Sequence, residues 1–510
     1  MNELTTLAQL LATAADRDPS ATAIRDQGQA TTWGEAADRA GRMGAALNHL
    51  GVAPGDRVGV HYRKSADAFL AMHAVVQRGA IAVPLDPTAS AGYLASVVSQ
   101  TGCEVVLSHP ACQHSALALA ADGGLRGLVG IDEPVEGPAA GPRCELVGPA
   151  ALADLSPARP KPVDPDQLAY IITTSGSTGR PKGISHTHRS ALAYVEFKLA
   201  AYDLSPQDHI SDIAPNHFDI STLALWVTPI IGATNVVVAE QYQMLPASLS
   251  GLMADEQISV WYSVPYLLTQ LLTRGDLEQR DLSHLRWVLF GGEVFPPQVL
   301  AQLMDLMPNA RFSNVYGPAE VNACAIHHLD GPPIGEEPIP IGRPVADTEL
   351  RLVDPAVPTG FHSSSLGPWG PSHPGEIWVN SPTMMAGYWQ RPDLDEKIFV
   401  TGPDGDRWYR TGDLGYQLST GELVFTGRVD HQVKVRGHRI ELEAIEAVLE
   451  DAPGIANAVA TVARPGEGAD VVIAGLVEAP GAAVDHNALR RHMAWHGAYR
   501  PTPFRPRFTR

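Results

Sequence analysis

Short apolar strands alternate with amphipathic helices from the N-terminus to about Leu329, and few folds accept that rhythm. Thr22–Asp26 and Thr31–Trp33 read as strands. Gly34–Leu50 carries apolar residues at helical spacing and stops at Gly51. Arg57–His61 reads as a strand, Ser65–Arg78 as a helix and Ala80–Leu85 as the next strand. Repeated βαβ units predict a parallel sheet with both faces covered. Residues 131–166, rich in Pro, Gly and Ala, read as connecting loop. A second βα series begins at Leu168. From about Thr348 the rhythm changes: Glu349–Val353, Gly375–Val379, Leu423–Phe425 and Gln432–Val435 read as strands of antiparallel units, and Ile440–Leu449 as a helix. The expected fold class is α/β: a large N-terminal domain of parallel βαβ layers plus a small antiparallel β-unit, then a small mobile α+β C-terminal domain. Gly427-Arg428-Val429-Asp430 sets the boundary, dividing the chain into 1–427 and 428–510.

The chain's 510 residues, 45% of them hydrophobic, are ample for more than one core. A net charge of −19 argues against nucleic acid as a partner, since such binding needs a basic face. Any phosphate ligand must then be met by local cations, backbone amides or a metal. Cys103, Cys112, Cys144 and Cys324 are scattered without metal-ligand spacing, as in a reducing compartment. The N-terminus lacks a signal-peptide pattern. The most apolar stretch, Leu223 to Ala239, is interrupted by Pro229, Gly232 and Asn235, so no membrane partner is expected. The expected location is the cytoplasm.

The first chemistry-bearing segment runs from Tyr170 to Gly183. Tyr170, Ile171, Ile172 and Thr173 read as a buried strand. Thr174, Ser175, Gly176, Ser177, Thr178, Gly179, Arg180, Pro181, Lys182 and Gly183 then form a loop of hydroxyls, glycines and cations. Glycines let backbone N–H groups turn toward an anion, and hydroxyls add donors. No Gly-Lys-Ser/Thr triplet is present, so this is not a Walker A loop. The segment resembles the phosphate loop of adenylate-forming enzymes, the superfamily of acyl-CoA synthetases, luciferases and nonribosomal peptide synthetase adenylation domains. The resemblance is closest to stand-alone amino-acid adenylation enzymes.

Further motifs follow in that superfamily's order, from residue 170 to 441. Asp219, in Asn216-His217-Phe218-Asp219-Ile220-Ser221, reads either as a helix N-cap or as an anchor for a substrate ammonium. The resemblance to the FDxS motif of amino-acid-activating domains implies the second. Val288-Leu289-Phe290-Gly291-Gly292-Glu293 resembles the segment lining adenine and the substrate side chain. In Asn314-Val315-Tyr316-Gly317-Pro318-Ala319-Glu320, Tyr316 offers a face for adenine and Glu320 a hard oxygen for Mg²⁺; Ala319 stands where the family usually has Thr. Asp413, in Tyr409-Arg410-Thr411-Gly412-Asp413, is implied to hold the ribose hydroxyls, and Arg428 to contact ribose or phosphate. Asp430 is the implied hinge. Lys434, in the run to Glu441, is the implied cation of the motif that enters the site after rotation.

The resemblance implies ATP and Mg²⁺ as cofactors, with Thr174, Glu320 and Lys434 in catalytic roles. It also implies a two-step reaction: ATP-dependent formation of an aminoacyl-AMP, then transfer to a phosphopantetheine thiol. Motif alignment places Asp219, Ile220, Leu223, Ser263, Leu289, Gly291, Val315, Ala323 and Cys324 around the substrate. After Asp219 none is charged, so an acidic or basic side chain would be buried without a partner. The expected substrate is a small amino acid such as Gly, Ala or Ser, with a small β-amino acid as an alternative. The family's terminal lysine motif, Pro-x-Thr-x-x-Gly-Lys, has no match: Lys434 is the last lysine, and Arg505 and Arg507 are the candidate substitutes. No carrier-domain motif follows, so the expected partner is a separate carrier protein. Other readings are a ligase for acids without an amino group, with coenzyme A as acceptor, and a nucleotide-binding protein with impaired catalysis.

Overall fold

The computed structural model describes residues 4–121, 123–133, 139–174, 181–356, 369–430, 432–435, 438–463, 471–478 and 484–495. Two large sheets dominate. One has nine strands in the order Arg343–Pro344, Ala325–Leu329, Arg311–Tyr316, Trp287–Gly291, Val260–Ser263, His209–Asp212, Thr234–Val237, Thr22–Asp26 and Gln29–Thr32. It is parallel from Arg311–Tyr316 to Thr22–Asp26 and antiparallel at both edges. The other has eight strands and runs from Gly387–Tyr388 through Lys182–Thr187, Leu168–Thr174 and Ile81–Pro84 to Glu145–Val147. It is parallel beyond the Leu168–Thr174 hairpin.

A helix packed between sheets has no face to show to water. Ala66–Gln77 meets that condition: every residue but Asp67 is buried, as expected of a helix apolar all round. Ser65 caps it by accepting from the Ala68 N–H. The helix Trp33–His49 starts one residue earlier than its apolar spacing suggests. Thr32 and Glu35 form a capping box there, which fixes the start.

Three differences from the sequence reading have local causes. Residues 131–166 are not all loop, because Glu145–Val147 adds an edge strand and Pro149–Asp154 a short helix. Three residues are too few for period-2 alternation to show. The stretch after Asp219 is helical but not α-helical: a 3₁₀ turn, Asp219–Ser221, leads into a π-helical segment, Leu223–Val227. The helix expected from Ile440 starts at Leu442, since His438–Glu441 pairs with Gln432–Val435 as a hairpin.

Beyond the large sheets, Glu349–Val353, Gly375–Asn380, Arg407–Gln417, Phe399–Thr401 and Leu423–Arg428 form a five-stranded antiparallel sheet. The C-terminal segment has its own small core of Leu442, Ile445, Val448, Leu449 and Leu489, with the hairpin Ile455–Ala463 and Val471–Glu478 against it. Among the described residues no helix is long and apolar enough to cross a membrane, and the four cysteines are free.

Candidate active site

The motifs converge where the C-terminal hairpin meets the ends of the strands. Parallel strands bring their C-terminal ends, and the loops after them, to one edge. Leu168–Thr174 ends there, and the Thr174 hydroxyl is buried with no hydrogen-bond partner among the described residues. Ser175, Gly176, Ser177, Thr178, Gly179 and Arg180 lie outside the described residues. Lys182 opens the return strand, and its Nζ lies 3.7 Å from Glu441 of the C-terminal hairpin.

Gly291 ends the strand Trp287–Gly291 beside Val315. A Cβ on it would lie 2.3 Å from the Val315 carbonyl oxygen, so the sheet register admits only glycine. Gly292 then turns with φ +89°, a conformation side chains disfavour. Glu293 accepts from the Tyr266 N–H at 3.3 Å, and Asn314 donates to the Pro340 carbonyl at 2.8 Å. Both side chains thus brace backbone next to the site. Gly317 and Pro318 lead to Ala319, whose carbonyl accepts from His186 Nε2 at 3.0 Å. Burial lowers the His186 pKa to about 4, so the ring is neutral.

Tyr316, Asp413 and Arg428 form one connected group. The Tyr316 hydroxyl donates to Asp413 Oδ2 at 2.7 Å, and Arg428 Nη1 donates to Asp413 Oδ1. The same guanidinium clamps Asp430, from Nε at 2.6 Å and Nη2 at 2.8 Å. Burial works against the Arg428 charge, but its bonds to Asp430 and the field of Asp413 outweigh that and raise its pKa. The residue expected to meet ribose and the residue expected to act as hinge therefore share one arginine.

Glu320 is wholly buried. Arg439 Nη1 donates to both of its oxygens, at 2.8 and 2.9 Å, and the Tyr388 hydroxyl donates to Oε1 at 2.7 Å. Burial favours protonation, but Arg439 and Tyr388 prevail and hold the carboxyl at about 2. Glu320 was expected to carry Mg²⁺. With Arg439 on both oxygens it does not fit a divalent ion in this arrangement, and the described residues include no cluster of three metal-ligating side chains.

Asp219 is not a helix N-cap: that position is Phe218, and Asp219 Oδ1 accepts from the next N–H, Ile220, at 3.0 Å. Burial raises its pKa, and the positive charge of Lys434 opposes the rise. Beside it, Leu223, Leu289, Val315 and Ala323 are each at most 3% exposed and share one apolar cluster. Ile220 packs on the edge of that cluster. Ser263 does not join them. It points to the opposite sheet face, where its hydroxyl accepts from Trp261 Nε1 at 2.8 Å. Cys324 is fully buried, and its Sγ lies 3.6 Å from the Tyr316 carbonyl.

Sequence reasoning missed three groups. Arg439 lies inside a motif whose cation was assigned to Lys434. Tyr388 comes from a two-residue strand with no motif around it. Lys198 is wholly buried on the helix His188–Ala201, with no hydrogen-bond partner for Nζ among the described residues. Its ammonium lies 4.9–5.4 Å from the ring centroids of Tyr194, Phe197, Tyr202 and Tyr262. These rings belong to the same cluster as Leu223, Leu289 and Val315, so the surroundings of the expected pocket are not free of charge. Burial lowers the Lys198 pKa to about 7, and Asp219 acts to raise it. A lysine four residues after Tyr194 on an apolar helix face was the available signal.

The sequence profile of the AMP-binding enzyme family matches residues 11–389. The chain belongs to this family. It is thus an AMP-binding enzyme of the adenylate-forming superfamily. The L-proline--[L-prolyl-carrier protein] ligase of Pseudomonas fluorescens is 32% identical over 464 residues, covering 91% of this chain and 87% of its own. Phosphinothricin tripeptide synthetase PhsB of Streptomyces viridochromogenes is 33% identical over 465 residues; these are 90% of this chain but 36% of that synthetase. The AMP-binding enzyme thus spans about a third of some relatives. Among solved structures, the amide bond synthetase McbA of Marinactinospora thermotolerans superposes with a TM-score of 0.81 at 24% identity, covering 96% of this chain and 93% of that one. That likeness speaks for the fold.

Proposed function

We propose that this enzyme activates a small amino acid with ATP and passes it to the phosphopantetheine thiol of a separate carrier protein. The observation that carries the reading is Asp219. It is a half-buried carboxylate beside tightly packed apolar side chains, and its charge has no bonded cation among the described residues. A substrate ammonium would supply one. The naming of one relative as a prolyl-carrier protein ligase supports both halves of the proposal.

In the first step a substrate carboxylate oxygen attacks the α-phosphorus of ATP. The new O–P bond forms as the bridging bond to the β-phosphorus breaks, and pyrophosphate leaves. In the second step the thiol sulfur attacks the acyl carbon, the bond to AMP breaks, and AMP leaves with both electrons. The work of the protein is positioning and charge placement. Thr174 and Lys182, with Ser175 to Gly179, would hold phosphates. Gly291, Gly292, Asn314, Tyr316, Gly317, Pro318 and Ala319 would receive adenine, and Asp413 and Arg428 the ribose.

Residues 428–510 would then act as a lid turning about Asp430. The hairpin of Lys434 and Arg439 lies at Asp219 and Glu320 here, which suits the second step. Leu223, Leu289, Val315 and Ala323 leave little room, which favours Gly, Ala or Ser. A buried cation at Lys198 disfavours substrates with a second ammonium.

The test is amino-acid-dependent ATP–pyrophosphate exchange with Gly, Ala, Ser, 3-aminobutyrate, Phe, Asp and a fatty acid. Exchange confined to the small amino acids is expected. Exchange with the fatty acid alone would refute the role of Asp219. Nucleotide binding without exchange would leave only the nucleotide-binding reading.

A further inference from the structure

We infer that Lys198 is a specificity-determining residue, whose amine meets a hydroxyl on the side chain of the substrate. The inference deepens the proposed function and rests on its placing of the amino acid beside Asp219, Leu289 and Val315. It narrows the substrate class to small amino acids with a side-chain hydroxyl, of which serine is the simplest.

Sheet register places Lys198 at the floor of that pocket. Tyr262 pairs with Leu289, and Leu289 with Ser313, so the three side chains form one row on one face of the nine-stranded sheet. Gly291 and Val315 form the next row on the same face, two residues and about 7 Å nearer the strand ends. Lys198 Nζ lies 5.0 Å from the Tyr262 ring centroid and 5.4 Å from that of Tyr202. The Tyr202 hydroxyl in turn shares a hydrogen bond of 3.0 Å with Ser313 Oγ. The amine is thus held against both ends of the lower row, with Leu289 between them. The charge of Asp219 acts on it, yet Nζ has no bonded partner among the described residues.

The same protein shows how it treats a lysine that supports the fold. The Lys64 side chain is about as deeply buried, and it pairs with Asp212 and donates to Asn216. Lys198 has no such partners. The ring faces around it steady a cation, but they offer its three N–H donors no lone pair. A buried amine left in that state is costly, and a substrate oxygen would satisfy it. A carboxylate fits less well than a hydroxyl. It would bring a second anion beside Asp219, and one ammonium would leave one of its two oxygens without a charged partner. A hydroxyl adds no charge, and it accepts from the ammonium or exchanges a hydrogen bond with the free amine. Burial lowers the Lys198 pKa to about 7, so both forms are present near neutral pH. A methyl group would leave the donors as they were.

The experiment compares L-serine with L-2-aminobutyrate, which has a methyl group in place of the hydroxyl. In ATP–pyrophosphate exchange at pH 7.5 the wild type should favour serine in kcat/KM by about ten-fold or more. In Lys198→Met that ratio should fall to one or below. Equal use of the two acids by the wild type, or a serine preference kept by the variant, would overturn the inference. A second measurement needs neither a variant nor turnover: calorimetric titration of each acid into the whole wild-type chain without ATP. Serine should bind about ten-fold tighter. If no amino acid supports exchange, tighter serine binding keeps the subsite and refutes only the activation step. Equal binding, or none, refutes the subsite. Better use or tighter binding of aspartate than of serine would put a carboxylate on Lys198 and overturn the assignment of a hydroxyl.

Discussion

The Tyr316 hydroxyl donates to Asp413 Oδ2 at 2.7 Å, across 97 residues of sequence. It ties the nine-stranded sheet to the five-stranded one at the point where both motifs were expected to meet nucleotide. With Arg428 on its other oxygen, Asp413 is held in one orientation before any ligand arrives. Tyr316→Phe keeps the ring and removes the donor, leaving a buried acceptor unsatisfied. The expected stability loss is about 1–3 kcal/mol in urea unfolding, with a several-fold higher KM for ATP in the exchange assay. A higher KM with unchanged stability would mean that the hydroxyl serves the ligand and not Asp413.

The field of Lys434 on Asp219 gives a pH signature. Burial raises the Asp219 pKa above the ordinary 3.8, and Lys434 opposes the rise. The carboxylate form is the one that can hold an ammonium. Affinity for the amino acid is therefore complete above the raised pKa and lost as pH falls through it. Lys434→Ala removes the opposing charge, so the acid limb of kcat/KM for the amino acid should move to higher pH. A limb that stays in place in this variant would show that Lys434 does not act on Asp219.

How far the sequence could be read depended on the range of the interaction. Strands such as Arg57–His61 and Thr22–Asp26 were legible because alternation and flanking turns are local. The order of the motifs around Asp219, Tyr316 and Glu320 was legible because each sits at a strand end or in the segment after one, whereas Asp413 lies inside the strand Arg407–Gln417 and was legible only from its own motif. Glu145–Val147 was too short to register. The Arg439–Glu320 pair was not legible, since it joins residues 119 positions apart through the docking of one hairpin. Ser263 was placed with the pocket by motif alignment, yet strand alternation puts its hydroxyl on the Trp261 side. The two halves of the local signal there disagreed, and the pleat decided.

Lys64 and Asp212 form an ion pair with each side chain about 1% exposed. Lys64 Nζ also donates to Asn216 Oδ1 at 2.9 Å, and Asn216 opens the loop that carries Asp219. Burial raises the Asp212 pKa, and Lys64 is the main opposing charge. Lys64→Met leaves Asp212 without its cation and should cost about 3–5 kcal/mol of stability. The double variant Lys64→Met/Asp212→Asn should recover much of that. In the single variant the KM for the amino acid should also rise, because Asn216 loses a fixed neighbour. If the double variant is no more stable than the single one, the loss comes from packing and not from the stranded charge.

Lys198 presents the opposite case, a buried cation surrounded by rings instead of carboxylates. Its pKa falls from 10.5 in the unfolded chain to about 7 in the folded protein, because burial penalises the ammonium. Between those values the unfolded chain binds the extra proton, so the burial penalty is full below pH 7 and is relieved as pH rises toward 10.5. The stability of the wild type relative to Lys198→Met should therefore climb with pH above 7, approaching about 1.4 kcal/mol per pH unit. Urea unfolding of both proteins at pH 6, 7, 8 and 9 measures the difference directly and cancels every group they share. Near neutral pH the methionine variant should be the more stable, since it fills the same space without a charge to desolvate. The four rings work in the other direction, because their faces favour a cation within about 6 Å. If the ring cage dominates, Lys198 stays charged across the range, and the difference between the two curves will be flat with pH. A rising difference instead assigns the control of this residue to burial, and leaves a neutral amine beside the amino-acid pocket under alkaline conditions.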